Sequence, residues 1–367
     1  MSLKRLWQNC IYSIIFNLEY TKYYLHLQVS RSLANFATYM PKNPCVMRKY
    51  IYMMTAAMLL VACGNKAATS ASANPSAEKV SVEDVAFDPD SAYSYVARQV
   101  AFGPRVPNTE AHRMCGDWLA AELKRHGATV TEQKADLKAF DGTILHARNI
   151  FGQINPDAKE RTLLLAHWDC RPWADADPDP ANHKKPVDGA NDGASGVGVI
   201  LEIARQLNLA KSDRGVDFLF VDAEDWGTDG DDSSWALGTK YFVENPPVEG
   251  YTPKEAVLLD MVGGHDATFY REYFSQQVAP EVATKVWSAA TTLGYGDMFI
   301  NRIGGAVMDD HVQLLNHGIP AIDIIEYHPD DASGFNPRWH TVADNMEGIS
   351  AATLGAVGKT VIYTINR

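Results

Sequence analysis

The sequence predicts an α/β protein, a three-layer αβα sandwich around a mixed, largely parallel central sheet. Two observations carry this. From residue 83 onward, apolar strand-like runs alternate with helical stretches, the order that builds a parallel sheet between helices. The apolar runs also end alike: 163–169 closes on His167 and Asp169, 216–225 on Glu224 and Asp225, and 256–260 on Asp260. Those endings put acids and imidazoles at strand C-termini, where open α/β sheets bind ligands.

Taken in order, the globular pattern begins with a helix from Ser91 through Val100, followed by a Gly-Pro break at 102–107. Asn108 or Thr109 can cap the next helix, which sets Trp118, Leu119 and Leu123 on one side and stops at Gly127. Strands follow near 129–137 and 147–154, then the acid-ending runs, with helices near 194–209, 236–243 and 279–293 between and after them. The loop Asp188-Gly189-Ala190-Asn191-Asp192-Gly193-Ala194-Ser195-Gly196 runs straight into the 194–209 helix. Asn-Asp-Gly is a common turn by itself. Ahead of an apolar helix and beside the other strand ends, it places the Asp192 carboxylate rather than leaving it in solvent. No internal repeat and no second domain is visible, so 83–367 is expected to be a single catalytic α/β domain.

The front of the chain reads differently. Met47-Arg48-Lys49 is basic, and Tyr50 to Ala62 carries no charge but is short of the ~20 apolar residues of a membrane span, so 47–62 reads as a signal peptide. Leu60-Val61-Ala62-Cys63 resembles the lipobox of bacterial lipoproteins. That resemblance implies cleavage before Cys63, lipidation of its thiol, and a protein in the periplasm of a Gram-negative bacterium, held to a membrane through the lipid alone. Residues 63–82, rich in Ala, Ser and Asn, are expected to form a flexible tether, and 1–46, upstream of the signal, a spurious or unstructured extension.

Composition narrows the function classes. The 46% hydrophobic and 21% charged content is that of a folded globular protein. Residues 1–62 hold seven of the 33 Lys/Arg and one of the 45 Asp/Glu, which leaves 26 bases against 44 acids in the remainder. So acidic a surface repels phosphate backbones, which argues against nucleic acid as a partner. The five cysteines, Cys10, Cys45, Cys63, Cys115 and Cys170, show neither paired zinc-type spacing nor a disulfide framework.

The chemistry-bearing residues suggest metal. A catalytic zinc takes three protein ligands from His, Asp, Glu or Cys and keeps one position open. Asp192, Asp225 and His340, the last from Arg338-Trp339-His340-Thr341, supply one such set; His167 and Asp260 supply a second that shares Asp192. Acids at strand ends also cap helices, but five together are costly without a counter-cation.

These residues occur in the order found in the co-catalytic zinc aminopeptidases and their relatives: His167-x-Asp169, Gly189-Ala190-Asn191-Asp192, Glu224-Asp225, Leu258-Leu259-Asp260-Met261-Val262-Gly263 and Trp339-His340-Thr341. Within that group the chain most resembles the glutaminyl cyclases of the animal type and their bacterial counterparts. The features are Asp309-Asp310-His311, the aromatics Phe335 and Trp339, and Arg171-Pro172-Trp173-Ala174-Asp175. The resemblance implies one zinc on Asp192, Asp225 and His340, Glu224 as proton shuttle, and Asp260 with Asp309 as a hydrogen-bonded acid pair beside the substrate. It further implies peptide or protein substrates with N-terminal Gln, closed to pyroglutamate with loss of ammonia. Trp339 and Phe335, with Trp226, suit the walls of such a pocket, whereas Trp168 and Trp173 are assigned to structure. One departure is that the animal enzymes carry Glu where this chain has Asp225. His167, a ligand in the two-metal peptidases, is retained, so the alternative is an aminopeptidase with two zinc ions.

Overall fold

The computed structural model describes residues 85–331 and 333–367. The 1–46 extension, the signal segment, Cys63 and the tether lie outside the described residues.

Helix α1 (Pro89–Val100) starts where Asp88 accepts the backbone N–H groups of Asp90 and Ser91, with Pro89 pre-set in the first turn. Helix α2 (Glu110–Arg125) is capped by Thr109, which accepts from His112 N–H. An antiparallel pair follows, β1 (Thr129–Lys138) and β2 (Ile144–Ile154), then β3 (Arg161–His167), α3 (Ala194–Leu209), β4 (Gly215–Val221), α4 (Leu237–Glu244) and β5 (Glu255–Asp260). The last third adds β6 (Phe269–Arg271), α5 (Tyr273–Val278), α6 (Pro280–Thr292), β7 (Phe299–Ile303), α7 (Asp310–Asn316), β8 (Ala321–Ile325) and α8 (Ala351–Ile365).

The main sheet has six strands in the order β1-β2-β4-β3-β5-β8. The last four run parallel, and β2 lies antiparallel to β4. Strands β4 and β5 are buried at every position, as parallel strands covered on both faces are. Side-chain alternation shows the two covers. Asn149 points to one face and donates to the Gly238 carbonyl of α4, while Gly152, three positions on, faces Leu123 of α2. Helices α1, α3 and α8 pack on one another, and glycine lets α3 press close to the sheet: a Cβ on Gly196 would lie 1.9 Å from the Leu259 carbonyl oxygen.

Connectivity places the site. From β3 the chain passes through α3 to β4 on one side and returns through α4 to β5 on the other. The C-terminal end of β3 is therefore the switch point where a crevice opens. The small parallel sheet β6-β7, helices α5 and α7, and strand β8 were not foreseen, since elements of three to seven residues carry too few positions to show a period.

Candidate metal centre and active site

Each candidate ligand is held by backbone geometry that its loop must maintain. Gly193, the N-cap of α3, takes φ +95°, and a Cβ on it would meet the Asp169 carbonyl oxygen at 2.6 Å and the His167 ring at 3.1 Å. Only glycine lets the loop fold over the end of β3 and deliver Asp192. Asp344 clamps that loop, accepting Asn191 N–H at 2.8 Å and Asp192 N–H at 3.1 Å. After β4 the chain turns at Ala223, left-handed at φ +56°, and the Asp169 carboxylate accepts the N–H groups of Glu224 (3.2 Å) and Asp225 (3.3 Å). Asp222 secures the same turn from behind, accepting Ala223 N–H at 2.8 Å and pairing with His112 Nε2 at 2.8 Å. His340 is left-handed as well (φ +54°), and its ring stacks on Trp339 at 3.6 Å and 22° and on Trp235 at 6.1 Å and 16°.

These loops converge. His340 Nε2 lies 3.2 Å from Asp225 Oδ1 and 3.6 Å from Asp192 Oδ2, and the ligand atoms of Asp192, Asp225 and His340 all fall within 4.8 Å of one another. The second set converges too, with His167 Nε2 3.0 Å from Asp192 Oδ1 and 3.2 Å from Asp260 Oδ1. Asp192 thus turns one oxygen to each set. All five side chains are buried. Two carboxylates and an imidazole within mutual reach, shielded from water, are a donor set that fits a divalent ion such as zinc.

The electrostatics are those of acids short of counter-charge. Burial pushes Glu224 well above the ordinary carboxylate range; the neighbouring His167 opposes this, and Asp309 and Asp225 add to it. Burial likewise raises Asp260 to about 7, against the pull of its bond to His167. Burial and then Asp192 raise Asp225. Asp192 goes the other way, because bonding to His167 and the charge of His340 outweigh its burial.

Asp260 ends β5, where Met261 turns at φ +48°, and Asp309 caps α7, its Oδ1 accepting Asp310 N–H at 2.5 Å. The expected hydrogen bond between Asp260 and Asp309 is not formed. Asp260 is engaged by His167, and Asp309 Oδ2 is buried without a partner. The two acids still feel each other's charge. Phe335 packs on Trp339 at 4.9 Å, and only Trp339 of the two stacks on His340. Trp226 packs instead on Trp173 and on the cluster Ala139, Leu145, Ala147 and Ala223. Trp168 is fully buried and stacked on His112 at 4.2 Å, and Cys115 and Cys170 are free and buried. A small cavity of about 10 Å³ lies beside Asp192, lined by Met261, Asn336, Trp339 and Asp344 among others. Sequence reasoning missed the clamps: Asp344 and Trp235 carry no spacing signal, and Asp169 and Arg171 were noticed only as parts of motifs.

A mostly parallel sheet with a buried carboxylate–imidazole cluster at its switch point defines a metallopeptidase-like α/β protein. The chain belongs to peptidase family M28, whose profile matches residues 149–365. It is 54% identical to a solved Zn-dependent exopeptidase from Parabacteroides distasonis ATCC 8503, with TM-score 0.75 over 77% of this chain and 98% of that one. It is 50% identical to the solved Bacteroides thetaiotaomicron glutaminyl cyclase bound to N-acetylhistamine, again with TM-score 0.75 and 77% and 98% coverage. Among curated proteins, aminopeptidase YwaD of Bacillus subtilis (strain 168) is 27% identical over 271 residues, 71% of this chain but only 53% of that protein.

Proposed function

We propose that this protein is a zinc-dependent glutaminyl cyclase, closing the N-terminal glutamine of peptides or proteins to pyroglutamate with release of ammonia. The observation that carries this reading is the convergence of Asp192, Asp225 and His340 beside the Glu224 strand end, in a chain 50% identical to a solved glutaminyl cyclase. In the reaction the α-amine attacks its own side-chain amide carbon, a C–N bond forms, and the amide C–N bond breaks as ammonia leaves. A zinc ion held by Asp192, Asp225 and His340 supplies Lewis acidity toward that carbonyl oxygen. Glu224 takes a proton from the attacking amine and returns it to the departing nitrogen. Asp260 and Asp309 stand beside the substrate as acids whose carboxyls burial pushes up, that of Asp260 to about 7. Trp339 and Phe335 wall the pocket and exclude water, holding the folded-back conformer in which amine and amide meet.

A second reading is favoured by the convergence of His167, Asp192 and Asp260: two zinc ions and hydrolysis, as in an aminopeptidase. Metal analysis with paired assays on Gln-2-naphthylamide and Leu-p-nitroanilide separates the two. About one zinc per chain with pyroglutamate formation supports the cyclase, whereas two zinc ions with leucine release would replace it. We propose further that the chain is a lipoprotein anchored through Cys63 and facing the periplasm, which the lipobox-like Leu60-Val61-Ala62-Cys63 supports. Cys63→Ala should then abolish incorporation of labelled fatty acid and release the protein from the membrane fraction.

A further inference from the structure

We infer that Arg171 and Asp175 form an outer brace joining two ligands of the metal centre, Asp225 and His340, and that this brace sets how tightly the site holds its ion. The inference rests on the zinc reading above. Arg171 is buried, with its guanidinium facing two ways. Nη1 donates to the Asp225 carbonyl at 3.1 Å, to Asp225 Oδ1 at 3.3 Å and to the Gly227 carbonyl at 3.3 Å, so it holds both the backbone and the side chain of that ligand. Nε and Nη2 fork onto the Asp175 carboxylate at 2.7 and 2.6 Å. Asp175 Oδ1 lies in turn 3.6 Å from His340 Nδ1, the ring nitrogen opposite the one that faces Asp192 and Asp225. Ala176 N–H donates to the His340 carbonyl at 3.2 Å and ties the same two segments through the backbone.

The brace is itself held by aromatic rings. The Arg171 guanidinium lies 5.2 Å from the Trp173 ring centre and 5.0 Å from that of Trp235, and Trp235 also stacks on His340. One indole therefore contacts both a metal ligand and the cation that steadies another. A carboxylate behind a ligating histidine fixes its ring and tautomer, and removing such an outer partner costs about 10–100-fold in metal affinity. Only arginine can serve here, because the site needs a planar fork toward Asp175 and a further donor aimed at Asp225; a lysine ammonium cannot present both.

The test is zinc affinity of the full chain by chelator competition, beside the melting temperature of the metal-free protein. The variants are Arg171→Gln, Arg171→Lys, Asp175→Asn and the double variant Arg171→Gln/Asp175→Asn. Each single variant is expected to weaken zinc binding about 10–100-fold. Lysine should not rescue, and the double variant should be no worse than the weaker single, because the two residues act as one unit. The Asp175 side chain is 42% exposed, so Asp175→Asn should fold even if Arg171→Gln does not, and it then decides alone. Affinities within twofold of wild type, with only the metal-free melting temperature lowered, would overturn the brace and leave a structural ion pair. A wild-type chain that binds no zinc would overturn the zinc reading and the brace together, which distinguishes that failure from a failure of the brace alone.

Discussion

Strand β4 carries buried carboxylates near both ends, and the two ends treat them oppositely. In its first half, Asp217 Oδ1 accepts from Arg161 Nη2 at 2.5 Å and Gln153 Nε2 at 3.1 Å, and Oδ2 accepts from Arg161 Nε at 2.9 Å and Tyr251 Oη at 2.8 Å. Each oxygen has two fixed donors. Past the other end, Glu224 and Asp225 gather with Asp192, Asp260 and Asp309 around two imidazoles and the Arg171 guanidinium, while Asp309 Oδ2 and both oxygens of Asp310 and Asp323 are buried with no donor in good hydrogen-bond geometry, Asp323 Oδ2 meeting His311 Nδ1 only at 3.8 Å. A carboxylate with its lone pairs filled by fixed donors braces the fold. One left short must take a proton or a cation, and a cluster of such acids at a switch point marks a site.

The strongest way to break this contrast is to alter one acid at each end. Glu224→Gln keeps the shape and removes the proton carrier. It should lower kcat about 10²–10⁴-fold with zinc content unchanged, as read by steady-state assay and metal analysis. Asp217→Ala should instead cost about 3 kcal/mol in denaturant unfolding, because it leaves the half-buried Arg161 guanidinium without its carboxylate. The folded fraction should keep its kcat. Loss of zinc from Asp217→Ala would show that the two ends are not independent.

A smaller effect separates the ends by pH. Burial, with neighbouring acids adding, raises Asp260 to about 7 and Asp344 to about 7 from an ordinary 3.8. In the metal-free protein the folded state therefore binds protons that the unfolded state has released between about pH 4 and pH 7. Stability from these groups is present below pH ~4 and is lost as pH rises through ~7. Denaturation in chelator should show stability falling from pH 5 to pH 8, by about 2–3 kcal/mol for each of the two acids. Added zinc, which favours the ionised acids, should flatten the slope, and the same slope with and without zinc would remove these acids from the metal's surroundings.

What the sequence revealed and what it hid follow from range. Asp192, Glu224, Asp225 and Asp260 were legible because they end apolar strands or sit in a glycine-rich loop, features visible within about ten residues. The 194–209 helix was legible for the same reason and spans the same residues in the structure. The residues that aim those ligands were hidden because their partners are distant in the chain. Asp344 clamps the Asn191 amide across 153 positions, and Arg171 reaches Asp225 across 54. No periodicity reports such contacts. The Asp260–Asp309 pair shows the converse limit: the family resemblance implied their pairing, but the bond each acid makes depends on whether His167 or a helix amide is nearer.

The weakest expected effects lie among the aromatics, where the same contrast between site and scaffold applies. Trp339 stacks on His340 at 3.6 Å and lines the cavity beside Asp192, whereas Phe335 touches Trp339 and is one contact further away. Phe335→Ala should therefore raise KM only a few-fold with kcat nearly constant, the signature of lost uniform binding. Trp339→Ala should affect both constants, since it frees the ring of a proposed ligand. Trp226 follows the scaffold rule: it packs on Ala223, the left-handed turn that leads into Glu224, and on the β1–β2 hairpin. Trp226→Ala should lower the melting temperature before it alters KM, and a raised KM at unchanged stability would move Trp226 from the hairpin's packing to the substrate's pocket.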